Sequence, residues 1–383
     1  MKLRQFIIIS LFIISTNSMA QSFNIGHTTI TYRDSSRSRN ISTEIYYPGI
    51  STGQNVAVDS GSFPVLIFGH GFLMSWNAYQ NFWTELVPKG YVMCFPTTEM
   101  SISPNHGAFG LDLEFLAAQM QNENLDSTSL FFNSLALETA LMGHSMGGGA
   151  SFLAAENNTT ISALVNFAAA ETTPSAIAAA LNVNVPSLVF SGDDDCVAPT
   201  NTNQTLMYDS LSSICKTHIR IINGGHCYFA NNNFNCNLGE SFCNPTLNIS
   251  RAQQQSVTFD FLNPWLAYSL KGDTSAWTRF NDSLQNSFRI NSSQRCNITS
   301  MQELHVDSEI KLYPNPASNQ INLAITEEQR GGRLQIYNVL GKKLHEHLIK
   351  KDNVQIDVSH LPTGTYLVLI SKEGYLYSTK FIK

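Results

Sequence analysis

The run Gly143-His144-Ser145-Met146-Gly147 sets a serine between two glycines, where the apolar pair Leu141-Met142 gives way to the small residues Gly148-Gly149-Ala150. A hydroxyl becomes a useful nucleophile only beside a general base, so the chemistry to look for is a histidine and a carboxylate within reach of Ser145. The glycines suit that reading, because a strand turning sharply into a helix around a serine leaves no room for side chains beside it. The helix that follows would aim its first N–H groups and positive dipole end at the same spot, which favours an oxyanion. Two later loops offer the partners. Gly192-Asp193-Asp194-Asp195-Cys196-Val197-Ala198-Pro199 carries three adjacent aspartates, one of which can aim at an imidazole while the others face solvent, and Asn223-Gly224-Gly225-His226 ends in a histidine. His226 is the expected base. His144, inside the turn, reads as locally packed, and His70 belongs to the loop Gly69-His70-Gly71-Phe72. That loop and the N–H of Met146, just after the serine, are the expected sources of oxyanion donors.

Each of these segments follows a strand-like run. Short apolar runs at 65–68, 91–95, 163–167, 187–191 and 217–222 are bounded by Pro, Gly or polar residues, as buried strands are. Helical patterning falls at 77–87, 109–122, 130–137, from the serine turn to about 156, at 201–212 and at 250–270. Runs 27–32 and 41–47 would start the sheet as an antiparallel pair. Alternating strands and helices of these lengths imply an α/β fold with a mostly parallel, doubly wound sheet, whose active site lies beyond the carboxyl ends of the strands. Serine, acid and histidine then occur in the chain order of α/β-hydrolases.

The first 20 residues carry Lys2 and Arg4, an apolar run at 6–14 and the small-residue end Ser18-Met19-Ala20, the pattern of a cleaved secretory signal; no later run is long enough for a membrane helix. Export permits disulfides. Of seven cysteines, Cys94 lies in an apolar run and is expected to be the free one, while Cys236 and Cys243, close together in a polar stretch, are the expected local bridge. A net charge of −6 argues against a nucleic-acid partner, and no Cys-x-x-Cys pair suggests zinc, so neither metal nor cofactor is expected. Only residues 168–185 separate two strands beyond the serine, so no large lid is expected, and a monomer with an open cleft would admit a polymer. Phe72, Trp76, Met146, Tyr228 and Phe229 are candidate lining residues.

Residues 60–300 resemble the polyester-hydrolase (PETase) and cutinase branch of the dienelactone-hydrolase-like α/β-hydrolases. The likeness rests on Gly143-His144-Ser145-Met146-Gly147-Gly148-Gly149, on Asp-x-Val-x-Pro from Asp195 to Pro199, and on Ile222-Asn223-Gly224-Gly225-His226. Ala169-Ala170-Glu171-Thr172-Thr173-Pro174-Ser175 and Gly225-His226-Cys227-Tyr228-Phe229-Ala230-Asn231 are similar to secreted esterases of Bacteroidetes, some acting on poly(ethylene terephthalate). The resemblance implies Ser145 as nucleophile, Asp195 as the acid with Asp194 the runner-up, and Phe72 as the second oxyanion donor. It also puts Thr173 and Pro174 where related polyester hydrolases carry a binding-site tryptophan, which weakens aromatic clamping. The function implied is a secreted serine carboxylesterase acting on polyesters and small aryl or short-chain esters. The alternatives are a lipase or feruloyl-type esterase, or a surface-displayed binding protein with a disabled hydrolase fold.

Beyond residue 301 the composition changes. Leu312-Tyr313-Pro314-Asn315-Pro316-Ala317, Leu334-Gln335-Ile336-Tyr337-Asn338-Val339-Leu340-Gly341 and Asp357-Val358-Ser359-His360-Leu361-Pro362-Thr363-Gly364-Thr365-Tyr366 suit a small all-β sandwich. They resemble the carboxy-terminal sorting domain of the type IX secretion system, which would make its machinery a partner. The organisation expected is a signal at 1–20, the catalytic domain at 21–300, a linker at 301–310 and the sorting domain at 311–383.

Overall fold

Two eleven-residue strands, β1 (Asn24–Asp34) and β2 (Arg39–Gly49), pair antiparallel in full register and open a ten-stranded sheet. The computed structural model describes residues 22–243, 245–296, 310–327, 329–338, 343–372 and 375–383, in two units, 1–297 and 298–383. The expected signal and all but the last residue of the expected linker lie outside the described residues.

The sheet continues through β3 (Gly53–Gln54), β4 (Phe63–Gly69), β5 (Val92–Pro96), β6 (Leu135–His144), β7 (Ala163–Phe167), β8 (Ser187–Gly192), β9 (Cys215–Ile221) and β10 (Ile290–Cys296). Its order is β10-β9-β8-β7-β6-β4-β5-β2-β1-β3, with β4 to β9 parallel and β10 antiparallel to β9. β4, β5 and β7 are buried along their whole length, which is why they read as unbroken apolar runs. The period of two splits them between two cores: Leu66, Phe68 and Met142 face one, Val65, Ile67 and Leu141 the other.

Helices cover both faces. α1 (Gln80–Leu86) packs on the first core through Phe82, Trp83 and Leu86. α2 (His106–Leu125), α3 (Met146–Ala155), α4 (Ala176–Ala180) and α5 (Gln204–Ser210) pack on the second. The short α6 (Phe234–Ser241) lies between the His226 loop and the Cys196 disulfide, and α7 (Arg251–Lys271) and α8 (Thr274–Asn286) return to the first core. A capping box of Ser250 and Gln253 starts α7. Among the described residues no helix is long and apolar enough to cross a membrane.

Two expectations are corrected. Residues 130–137 form no helix: Asp126 accepts the Thr128 N–H in a local turn, Asn133 takes a positive φ, and β6 has begun by Leu135. Cys236 and Cys243 do not bridge. The stretch between them is helical, and seven residues of helix separate their backbones by about 10 Å, beyond a disulfide's reach. The bridges are Cys196–Cys243, Cys215–Cys296 and Cys227–Cys236, leaving Cys94 free and buried as expected. The structure also adds the short β3 and α4 together with α6, α8 and β10, none of them among the expected elements; the Asn and Gly content of α6 resembles a loop.

The second unit holds two antiparallel sheets. β11 (Lys311–Tyr313), β12 (Gln320–Ala324) and β15 (Asn353–Asp357) form one; β13 (Arg333–Asn338), β14 (Lys343–Leu348), β16 (Thr365–Lys372) and β17 (Tyr375–Ile382) form the other. Ile321, Leu323, Val354 and Ile356 meet Leu334, Ile336, Val368 and Ile370 in a single apolar core, which makes the unit a sandwich.

Candidate active site

β6 ends at His144, and the chain turns into α3 through Ser145, whose φ of 55° and ψ of −122° lie far from the regions open to ordinary residues. The turn survives because nothing protrudes beside it. A Cβ on Gly143 would stand 2.2 Å from the Gly147 carbonyl oxygen, and one on Gly147 would stand 2.2 Å from the Gly69 carbonyl at the end of β4. The Ser145 N–H donates to Phe167 O at 3.0 Å, and Ser145 O accepts from Ala170 N at 2.9 Å, which fastens the turn to the end of β7.

His226 and Asp195 converge on this serine from the loops after β9 and β8. His226 Nε2 lies 2.8 Å from Ser145 Oγ and its Nδ1 lies 2.8 Å from Asp195 Oδ2, with all three side chains buried. A carboxylate accepts, so Nδ1 carries the proton and the bare Nε2 faces the serine hydroxyl. The other carboxylate oxygen, Oδ1, accepts the N–H groups of Val197 and Ala198 at 2.9 and 2.8 Å, which fixes the carboxylate plane. Of the neighbouring aspartates, Asp193 faces Arg220 at 3.5 Å and Asn291 at 3.1 Å, while Asp194 is half-exposed. The structure thus brings Asp195, not its neighbours, to the ring.

The backbone around His226 is clamped. Glu240 accepts its N–H at 2.9 Å, His144 Nε2 donates to its carbonyl at 3.0 Å, and Gln254 brackets Gly225 with one bond to N–H and one to C=O, each 2.9 Å. Both ring nitrogens of His144 are thus engaged, Nε2 here and Nδ1 with Tyr79 Oη at 3.0 Å, and burial with His226 nearby holds its pKa well below the usual imidazole range. His70 is buried against the carbonyl oxygens of Gly71 and Thr98.

Beside Ser145, the N–H of Met146 opens α3, where a helix has no internal acceptor to offer. In the Gly69–Phe72 loop, Gly71 N–H is taken by Tyr79 Oη at 2.7 Å, while Phe72 N–H donates to no group among the described residues. The Phe72 side chain is 45% exposed, large for a ring of its size, and Met146 is buried beneath the site. Thr173 and Pro174 are exposed at the start of α2, with Thr173 N–H donating to His106 Nδ1 at 3.2 Å.

One lining residue is corrected. Phe229 is fully buried, packed on His144, Phe167 and Phe190, and presents nothing to a cleft. Trp76 is half-buried, one side of it engaged with His27, Tyr46 and Trp83 in an aromatic cluster over the first core. Tyr228 is half-buried with Arg251 over its ring at 4.5 Å. Sequence reasoning missed Glu240, Gln254 and Tyr79. The one local signal is the capping box on α7, which ends one residue before Gln254; nothing local marks the other two.

Residues 15–244 match the family model described as PET hydrolase-like, and residues 311–383 match the secretion system C-terminal sorting domain. The first match spans well over half of the chain and contains the serine turn, the aspartate loop and His226. The chain therefore belongs to the PET hydrolase-like family and carries at its carboxyl end a type IX secretion sorting domain, which marks it for export and for release or attachment at the cell surface.

Proposed function

We propose that this ester hydrolase is a serine carboxylesterase acting on polyesters, poly(ethylene terephthalate) among them, and on small aryl or short-chain esters. The observation that carries the reading is the buried Asp195–His226–Ser145 chain with its two 2.8 Å contacts. Ser145 Oγ attacks the ester carbonyl while His226 Nε2 takes its proton, and the N–H groups of Met146 and Phe72 stabilise the oxyanion. His226 then protonates the departing alcohol, leaving an acyl-enzyme. Water attacks that ester, again losing its proton to His226, and the acid leaves with Ser145 restored. Asp195 holds the tautomer and stabilises the imidazolium throughout.

A solid or polymeric ester is favoured by the rim of the site, where Phe72, Val197, Phe234, Leu238 and Phe242 are exposed apolar side chains. Thr173 and Pro174 stand beside α2 without an aromatic ring. The organisation that goes with this reading is a signal at 1–20, a catalytic domain at 21–300, a linker at 301–310 and a sorting domain at 311–383 that engages the type IX machinery, acting as a monomer. The test is product release from polyester film and turnover of a nitrophenyl ester by wild type and Ser145→Ala, with organophosphonate labelling of folded protein. Loss of the serine should lower turnover by about a millionfold. A wild-type Ser145 that takes no label sinks the reading and leaves a binding protein.

A further inference from the structure

Tyr79 and His144 are both fully buried, and no step of the reaction touches either. They nevertheless join the two halves of the machinery. Gly71 N–H lies 2.7 Å from Tyr79 Oη, Tyr79 Oη lies 3.0 Å from His144 Nδ1, and His144 Nε2 lies 3.0 Å from the carbonyl oxygen of His226. Chemistry leaves one arrangement of protons. A carbonyl only accepts, so His144 Nε2 carries the hydrogen. Burial keeps the ring neutral, so Nδ1 is bare and must accept. The Tyr79 hydroxyl, pushed up in pKa by burial and hence protonated, donates to Nδ1 at 3.0 Å rather than to the weak acceptor Met74 Sδ at 3.4 Å, and its oxygen accepts from Gly71. Three bonds thus run in one direction, from the loop that bears Phe72 to the backbone of the base.

We infer that Tyr79 and His144 are positioning residues that fix the Phe72 N–H relative to the His226 ring, an assignment that rests on the serine-esterase reading above. Two features of the packing support it. Tyr79 occupies the N–H of Gly71, so the next one along the loop, that of Phe72, is the one left free. The loop is also seated directly on the phenol: a Cβ on Gly71 would come 3.1 Å from Tyr79 Oη and 2.8 Å from Met74 Sδ. On the other side the His226 main chain is held through its carbonyl by His144 and through its N–H by Glu240, so the backbone that carries the ring cannot shift without breaking one of them. Donor and base lie on loops far apart in sequence, and this relay makes them move together.

The experiment compares full-chain Tyr79→Phe, His144→Leu and His144→Gln with wild type. It reads kcat and KM on a soluble nitrophenyl ester and the rate at which Ser145 is labelled by an organophosphonate, whose phosphoryl oxygen occupies the oxyanion position. Glutamine keeps an N–H where Nε2 stands and an oxygen able to accept from Tyr79. Tyr79→Phe and His144→Leu should lower kcat by about tenfold to a hundredfold, slow labelling alike and leave KM within about twofold, since a small misplacement of the reacting groups is enough for losses of that size. His144→Gln should recover most of the rate. Wild-type kcat and labelling in the first two variants, or a glutamine variant no better than leucine, overturn the inference. Should Tyr79→Phe fail to fold, the two His144 variants decide it. If wild-type Ser145 takes no label, the serine-esterase reading falls and this one with it; if wild type labels and only the variants fail to differ from it, this one falls alone.

Discussion

Glu240 accepts the main-chain N–H of His226 at 2.9 Å and that of Cys227 at 3.3 Å from within α6, a helix that supplies no reacting group. The carboxylate is buried and turned inward, so it satisfies two donors that would otherwise be orphaned. Glu240→Ala should cost about 1–3 kcal/mol for each N–H left unpaired and lower kcat, because the histidine backbone loses one of its two clamps. Glu240→Gln keeps an acceptor and should lose less of both. Urea unfolding and turnover of a soluble ester measure this; an alanine variant with wild-type stability and rate would show that α6 braces nothing.

The same helix is stapled at both ends to the loops that carry His226 and Asp195. Cys227 follows His226 and bonds Cys236, while Cys196 follows Asp195 and bonds Cys243. The separations of 9 and 47 residues correspond to about 2–3 and about 4 kcal/mol of chain-entropy stabilisation. Cys215–Cys296 ties β9 to the edge strand β10 and serves as a control. Replacing the pair Cys227 and Cys236 by serine should lower both Tm and kcat, whereas replacing Cys215 and Cys296 should lower Tm and leave kcat of the folded enzyme near wild type. Equal effects on kcat from the two replacements would refute a role for the first bridge in holding the site.

What could be read in the sequence follows from how local each rule is. The Ser145 turn is governed by sterics within five residues, and the clashes at Gly143 and Gly147 are the ones the motif implies. The buried strands announce themselves because both faces of β4, β5 and β7 are covered. The choice among three aspartates came from a resemblance, and its physical basis, the Val197 and Ala198 N–H groups gripping Oδ1, appears only once the loop is folded. Disulfide pairing is not legible in the sequence because the polar stretch from Cys236 to Cys243 is mostly helix, in which nearness in sequence is not nearness in space. Tyr79 was invisible for a related reason: its partners Gly71, His144 and, through it, His226 come from separate strand ends that only the sheet order brings together.

Acid should destabilise the larger unit before its carboxylates are fully protonated. His70, His144 and His218 are buried, and burial lowers the pKa of each, that of His218 to about 4 from an ordinary 6.5. Below pH 6.5 the unfolded chain binds protons that the folded chain refuses, so stability is complete above 6.5 and falls as pH drops towards the folded values. For His218 the full gap amounts to about 3 kcal/mol by pH 4. His218 faces Ser191 Oγ at 2.9 Å and the Tyr208 ring, with Arg220 adding to the shift. Urea midpoints at pH 8, 6, 5 and 4 for wild type and His218→Asn isolate its share. The stability of wild type relative to the variant should fall steadily as the pH drops from 8 to 4, through zero if the substitution costs less than the shift, and a constant difference across that range would contradict it.

The exposed face of α6 is where a polymer substrate should be told apart from a small one. Phe234, Leu238 and Phe242 recur every four residues, so they share one side of the helix, and they are 77%, 45% and 83% exposed. The helix adjoins the oxyanion loop, since Asn235 Nδ2 donates to Leu73 O at 2.7 Å, and its far end is bonded to the aspartate loop beside exposed Val197. Its one acid, Glu240, points inward, so the outward side offers an uncharged apolar strip along the rim of the site. A dissolved ester needs only the atoms around Ser145, but a film must be met over a surface, and burying apolar area there contributes about 25 cal/mol per Å². Replacing all three residues by serine should leave kcat and KM on a soluble nitrophenyl ester within about twofold, because none of them touches Ser145, His226 or Asp195. Adsorption to polyester film and product release from it should fall by about tenfold or more, as several hundred square ångströms of apolar contact are forfeited. A triple variant that binds and erodes film as wild type does would mean that the polymer approaches from another side, and equal losses on film and soluble ester would mean that the substitutions had disturbed the clamp on His226 instead.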